Sequence, residues 1–293
     1  MRFTKMQGLG NDYVYVNCFE ETVESPASLA RMVSDRHFGI GSDGLILIRP
    51  SVQADFFMEM FNADGTRSEM CGNGIRCVGK FVYDHGLIDK TEITVNTLAG
   101  IKRLSLHVKE GRVQSVTVDM GEPQLEASAI PVQASHSPVV AEPIEVAGGR
   151  FEMTCVSMGN PHAVVFVDDT SSVPVEQIGP EFEFHPRFPK RVNAEFVQVV
   201  SCSEVNMRVW ERGTGETLAC GTGACASTVA CILNGLTDDE ITLHLLGGDL
   251  RVKWDRGTNH VLMTGPAATV FEGEIDVSAC PCDEPPHMVD PAW

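Results

Sequence analysis

Two short stretches of this 293-residue chain carry the same chemistry: Cys71-Gly-Asn-Gly74 and Cys220-Gly-Thr-Gly223, set 149 positions apart. A cysteine at the start of a helix is suited to acid–base work. The N–H groups and dipole of a helix N-terminus favour negative charge and lower a thiol from its ordinary pKa of about 8.5, so either residue is expected to take or give a proton near neutral pH. The glycines that follow let the backbone approach a ligand, so the same N–H groups can hold a carboxylate. Placed face to face about a pseudo-twofold axis, the two thiols would flank one carbon. One side removes a proton while the other delivers one, which is what inversion of a stereocentre requires.

The elements that must position these thiols are themselves duplicated. Gly10-Asn11 recurs as Gly159-Asn160 under the same 149-residue shift, which also sets Asn62 on Glu211 and Gly44 on Asn193. It lays Leu45-Ile-Leu-Ile on Ala194-Glu-Phe-Val, and with a one-residue slip Glu92-Ile-Thr falls on Glu240-Ile-Thr. The copies close alike, on Met120-Gly-Glu-Pro and Met263-Thr-Gly-Pro. Two long copies are too few and too large for a solenoid, so two related lobes are expected. Within each, β-branched stretches such as Tyr13-Val-Tyr-Val and Ala163-Val-Val-Phe-Val alternate with Gly, Asn and Asp turn signals, as strands do. Helical spacing is clearest after each cysteine, at Ile75, Val78, Phe81 and Val82 and at Ala226, Val229, Ala230 and Ile232. Each lobe is therefore predicted to be a sheet packed around one helix that begins at its cysteine. The Pro-, Ala-, Ser- and Glu-rich stretch from Glu122 to Gly149 reads as an inter-lobe connection with an edge strand, and the tail 280–293 as irregular.

Composition narrows the chemistry. The chain has 40 acidic and 22 basic residues and a formal charge of −18, which repels phosphate backbones and anionic lipid, so no nucleic-acid or membrane partner is expected. There is no apolar signal stretch or bilayer-length run, so a cytoplasmic protein is expected. The ten cysteines then read as thiols, with Cys77, Cys155, Cys202, Cys225 and Cys231 as small core residues.

Other motifs fail on context. Gly39-Ile-Gly-Ser-Asp-Gly44 has the dinucleotide spacing but is followed by a strand, and Gly74-Ile-Arg-Cys-Val-Gly79-Lys80 lacks the Ser or Thr of a phosphate loop. Lys80 is predicted to be a solvated helix charge. No Cys-x2-Cys pair suggests zinc, so neither a metal nor another cofactor is expected. His162 could serve a cysteine hydrolase as its base, but that leaves the second cysteine without a role.

The stretches Asn62-Ala-Asp-Gly-Thr-Arg-Ser-Glu-Met-Cys-Gly-Asn-Gly-Ile-Arg-Cys77 and Glu211-Arg-Gly-Thr-Gly-Glu-Thr-Leu-Ala-Cys-Gly-Thr-Gly-Ala-Cys225 resemble the two signatures of the diaminopimelate epimerase family. Gly159-Asn-Pro-His162 and His185-Pro-Arg-Phe-Pro-Lys-Arg-Val-Asn193 are similar to that family as well. The resemblance implies an α+β fold of two pseudo-symmetric lobes, each a mostly antiparallel sheet wrapped around a central helix. It implies interconversion of LL- and meso-diaminopimelate without pyridoxal phosphate or metal, in lysine and peptidoglycan precursor synthesis, by a homodimer.

Carried over by residue, it makes Cys71 and Cys220 the acid/base pair and implicates His162 and Glu211 in catalytic competence. The backbone at Gly72, Asn73, Gly221 and Thr222 would hold the carboxylate on the reacting carbon. Asn11, Asn62, Asn160, Asn193 and Arg212 would bind substrate, Arg212 through the distal carboxylate, with Glu211 taking the distal ammonium. The final strand is expected to cross back, giving lobes of 1–121 with 267–293 and of 122–266. Two positions depart from the family: Gly44 stands where many relatives have a substrate-contacting Gln, and Phe271 where a Tyr is frequent at the dimer contact. Alternatives are a proline or hydroxyproline racemase of the same fold, a thiol-redox or metal-binding protein, and a non-catalytic pair of binding lobes.

Overall fold

The computed structural model describes residues 1–278 and Cys280; the remainder of the tail 280–293 lies outside the described residues. The first copy runs through β1 (Arg2–Gly8), β2 (Asn11–Asn17), α1 (Pro26–Ser34), β3 (Gly44–Arg49), β4 (Phe56–Asn62), β5 (Arg67–Ser68), α2 (Gly72–Asp84), β6 (Glu92–Thr97), β7 (Gly100–Lys109) and β8 (Arg112–Gly121). After β9 (Glu142–Val146), the second runs through β10 (Gly149–Ser157), β11 (Pro161–Phe166), α3 (Val175–Glu183), β12 (Asn193–Ser201), β13 (Glu204–Glu211), β14 (Gly215–Glu216), α4 (Gly221–Leu233), β15 (Glu240–Leu245), β16 (Gly248–Asp255) and β17 (His260–Pro266), with β18 (Ala268–Glu274) last.

The two copies pair their strands identically. β1–β2 is antiparallel, β2–β3 parallel, β3–β4 antiparallel and β4–β6 parallel, with antiparallel pairing on through β7 to β8. β10, β11, β12, β13, β15, β16 and β17 repeat that series pair for pair. The closing strands β8 and β17 pair with each other and join the sheets. β18 returns to β1 while β9, which follows the first copy, pairs with β10, so each copy lends its trailing strand to the other's sheet.

The helices α2 and α4 each span 13 residues, start at equivalent positions and lie inside their sheets. Burial explains their composition. In α2 the residues Ile75, Val78, Phe81 and Val82 are buried, and α4 is apolar nearly all round, as a helix enclosed by a sheet must be. One core cluster contains both helices and the inward faces of both sheets, including Tyr15, Ile46, Leu104, Val164, Val197 and Val252. Glycine allows the close approach: a Cβ on Gly79 would lie 2.9 Å from Leu106 Cδ2 and 3.0 Å from Leu104 Cδ2.

The expectation of one helix per lobe is corrected by α1 and α3, which cover the outer faces of the sheets. Along β3, Ile46 and Ile48 face α2 while Leu45 and Leu47 pack outward with Leu29, Ala30 and Val33 of α1. On β12, Ala194 and Phe196 pack outward with Phe182 of α3. Burial on both faces is why these strands read as continuous apolar runs. Two smaller expectations also change. Lys80 is not solvated but ion-pairs with Asp84 at 2.7 Å and donates to the Val113 carbonyl at 2.7 Å. Cys202 is exposed, because it sits in the turn between β12 and β13 and not in the core.

Candidate active site

Each cysteine is the N-cap residue of its central helix. Cys71 and Cys220 have extended backbones (φ −129° and −113°), and Gly72 and Gly221 begin α2 and α4. The helices meet at these ends: a Cβ on Gly72 would lie 3.8 Å from Gly221 Cα, and one on Gly221 3.7 Å from Gly72 Cα. The repeated methionines close the seam from β8 and β17, since the Gly72 position also meets Met263 Cε at 3.1 Å and Met120 Cε at 3.8 Å. Asn73 ties the lobes together by donating Nδ2–H to the Ala219 carbonyl at 3.1 Å. The first turns of two cysteine-capped helices therefore meet at one place, and helix N-termini favour an anionic group there beside a proton donor and acceptor.

The surroundings of the sulfurs follow the repeat. The Cys71 thiol donates to Asn11 Oδ1 at 3.2 Å, and its sulfur accepts from the Gly74 N–H at 3.4 Å. Tyr13, close to Cys71, occupies the place that His162 has in the second copy. Around Cys220, Thr222 Oγ1 lies 3.5 Å from the sulfur and accepts from Asn160 Nδ2 at 3.3 Å. His162 Nε2 lies 2.9 Å from Asn160 Oδ1, and Nδ1 lies 2.6 Å from Glu195 Oε1.

Glu195 was not singled out in the sequence. It is fully buried on the inward face of β12, and a Cβ on Gly223 would lie 2.8 Å from its Oε1 and 3.3 Å from the Cys220 sulfur. The signal for it was a carboxylate inside an otherwise apolar strand. Tyr13, Asp43 and Arg76 were likewise missed, and the first could have been found as the repeat partner of His162. Asp43 accepts from Asn11 Nδ2 at 2.8 Å, and Arg76, fully buried on α2, donates Nη1–H to the Gly72 carbonyl at 3.2 Å.

Burial reverses the expected lowering of the thiols. It pushes Cys71 above its ordinary value despite N–H donors from Gly74 and Asn73. Burial, joined by the negative charges of Glu211 and Glu195, pushes Cys220 up further. Desolvation of a thiolate outweighs the helix N-terminus here. The Glu211 carboxylate accepts from Thr217 Oγ1 at 2.5 Å, and its charge disfavours a thiolate at either cysteine.

Among the remaining expected residues, Asn193 is buried and spends both ends of its amide locally, donating to the Pro161 carbonyl at 2.8 Å and accepting from the Arg212 N–H at 2.9 Å. It thereby sets the direction of Arg212, which is exposed and donates Nη1–H to the Lys190 carbonyl at 2.9 Å. Asn62 donates to Thr66 Oγ1 at 3.0 Å in the turn after β4 and has no hydrogen bond to either thiol among the described residues. At Gly44 a Cβ would fall 2.1 Å from the Phe61 carbonyl oxygen, so the backbone here has no room for a Gln side chain. Among the described residues no cluster of three or more His, Cys, Asp or Glu side chains is arranged to hold a metal, and no helix is long and apolar enough to cross a membrane.

The chain is similar to known proteins over nearly its whole length. Diaminopimelate epimerases of Acetivibrio thermocellus and Methanococcus maripaludis (strain C6) are 61% and 56% identical to the chain, over 95% and 94% of it and 99% and 100% of their own lengths. A crystal structure of a probable proline racemase from Agrobacterium radiobacter K84 shares the fold, with a TM-score of 0.70 at 15% identity over 94% of this chain and 93% of that one. A phenazine biosynthesis protein of the PhzF family from Bacillus anthracis does so with a TM-score of 0.68 at 18% identity, over 94% and 98%. With residues 3–126 and 154–270 both matching the family described as diaminopimelate epimerase, the chain belongs to that family.

Proposed function

We propose that this protein interconverts LL- and meso-2,6-diaminopimelate, using Cys71 and Cys220 as a two-base pair at one α-carbon. The observation that carries this reading is the meeting of two cysteine-capped helices, glycine to glycine, in a chain of this family. A thiolate on one side takes the α-hydrogen and becomes a thiol; the carbanion then takes the hydrogen of the opposite thiol, which is left as thiolate. Two transfers invert the centre, and the reverse reaction exchanges the roles. Because burial raises both thiols, the reaction needs local help to form a thiolate. The ammonium of the bound substrate supplies positive charge, and the N–H groups at Gly72, Asn73, Gly221 and Thr222 hold the carboxylate of the reacting carbon.

In this reading Asn11 and Asn160 flank the reacting centre, while Asn62, Asn193, Glu211 and Arg212 receive the distal one. The carboxylate there pairs with the Arg212 fork and the ammonium with Glu211. His162 supports the Cys220 side. The two lobes, 1–121 with 267–293 and 122–266, close over the substrate. The exposed apolar pair Val270 and Phe271 on β18 supports a homodimer formed through that strand, in the cytoplasm. Purified protein given LL-diaminopimelate should yield the meso form, and should leave L-proline and L-lysine essentially unchanged. Racemisation of proline at a comparable rate would overturn the substrate assignment.

A further inference from the structure

The duplicated asparagines turn opposite ends of their amides toward the two sulfurs. Asn11 Nδ2–H donates to Asp43 Oδ2 at 2.8 Å. A carboxylate oxygen accepts only, so the amide is fixed that way round, and its Oδ1 receives the Cys71 S–H at 3.2 Å. In the second copy the amide is oriented from the other end. His162 and Glu195 are both fully buried, with Nδ1 and Oε1 2.6 Å apart, and Glu195 Oε2 has no hydrogen-bond partner among the described residues.

Such a pair is neutral when it holds two hydrogens, one shared between Nδ1 and Oε1 and one on Nε2, whether as carboxylate with imidazolium or as carboxylic acid with imidazole. In either form Nε2 carries a hydrogen. Only the anionic pair would leave Nε2 bare, and burial, which raises the Glu195 carboxyl, disfavours it. Nε2–H therefore meets Asn160 Oδ1 at 2.9 Å, and Asn160 Nδ2–H meets Thr222 Oγ1 at 3.3 Å. The Thr222 hydroxyl then has its hydrogen free for the Cys220 sulfur, 3.5 Å away. Position 46, the repeat partner of Glu195, is Ile, so only one lobe has this chain.

We propose that Glu195 is a positioning residue that, through His162, Asn160 and Thr222, keeps a hydroxyl donor aimed at the Cys220 sulfur, while Asp43 keeps an acceptor aimed at Cys71. The consequence for turnover rests on the two-thiol reading; the consequence for the thiols does not. The charged groups facing Cys220 are Glu211 and Glu195, with His162 behind Asn160.

The test is the pH dependence of carbamidomethylation by iodoacetamide, followed at each cysteine by peptide mass spectrometry on the whole protein. In Glu195→Gln the neutral imidazole can donate from Nδ1, Asn160 turns over, and the donor to sulfur is lost. The Cys220 midpoint should rise by about one pH unit, the worth of one hydrogen bond to an ionised group, with Cys71 unchanged as the internal check on folding. Thr222→Val, which removes the last donor without touching the buried pair, should raise it similarly. If Glu195 acted only as a negative charge, Glu195→Gln would lower the midpoint; if it were only structural, the midpoint would stay put. Either result overturns the proposal. In turnover, kcat should fall about tenfold with KM for diaminopimelate little changed. A shifted Cys220 in a protein that epimerises nothing would sink the two-thiol reading and leave this role intact.

Discussion

Replacing Arg76 by Met should make Cys71 harder to ionise by about one to two pH units. The guanidinium is fully buried, donates Nε–H to the Pro266 carbonyl at 3.1 Å and Nη1–H to the Gly72 carbonyl at 3.2 Å, and ion-pairs with no carboxylate among the described residues. The groups that would answer its charge are thiols, Cys77 and Cys71 foremost. Contact with the first residue of α2 puts the charge roughly 7 Å from the Cys71 sulfur, at a helix rise of about 1.5 Å per residue. At an effective dielectric of about 20 that is an attraction of about 2.4 kcal/mol for the thiolate, or about 1.7 pH units. The sign is set by charge: a lost cation disfavours the anion, so the Cys71 alkylation midpoint and the acid limb of kcat/KM both move up. Arg76→Lys keeps the charge and should move them by a few tenths of a unit. Met also removes the side-chain hydrogen bonds to the Pro266 and Gly72 carbonyls, so some loss of Tm is expected, partly offset because no unpaired cation is then buried. A Met variant whose Cys71 profile overlays the wild type, or a Lys variant shifted as far as Met, would refute the electrostatic role.

Three further outcomes follow from the same geometry. Mild oxidant should link Cys71 to Cys220 and abolish activity until dithiothreitol is added, because the first residues of their helices lie so close that a Cβ on Gly72 or Gly221 would touch the other's Cα; peptide mapping that found both thiols free in the inactive protein would contradict this. Arg212→Ala should lower kcat/KM for LL-diaminopimelate at least tenfold, since an unpaired charge left in a closed site costs about 2–5 kcal/mol, and a variant with unchanged kinetics would remove Arg212 from the site. Burial raises the Asp12 carboxyl, but Arg36 and Lys5, the latter at 2.6 Å, more than offset it and hold it below the usual carboxylate range. Its contribution to stability is present above the unfolded carboxylate pKa of about 3.9 and is lost as pH falls through the lower folded value. Asp12→Asn should therefore lower Tm clearly at pH 7 and hardly at pH 2; an equal loss at both would show that the ion pair is not its source.

What was legible in the sequence was what the repeat duplicates. Cys71 and Cys220 stand out because a thiol kept in both copies, with glycines behind it, is preserved in register while the core around it changes. The sheet around each central helix followed from the same alignment. The outer helices α1 and α3 did not, because nine residues carry less signal than the apolar runs of β3 and β12 that require them. Glu195 and Arg76 were hidden for the opposite reason. Each is a charge that occurs in one copy only, opposite Ile46 and Cys225, so comparing the copies makes each look like substitution noise. The thiol ionisation was misjudged because a helix N-terminus can be read from a sequence, whereas the burial that outweighs it depends on how two lobes meet.

Solvent deuterium most directly tests proton exchange at one carbon between two thiols. LL-diaminopimelate incubated in D2O with the wild-type protein should give meso product carrying deuterium at one α-carbon. Cys71→Ala and Cys220→Ala should each slow its formation by about 10²- to 10⁴-fold, the usual worth of a positioned acid or base. Meso product without deuterium, or either alanine variant within a few-fold of wild type, would contradict the two-thiol mechanism.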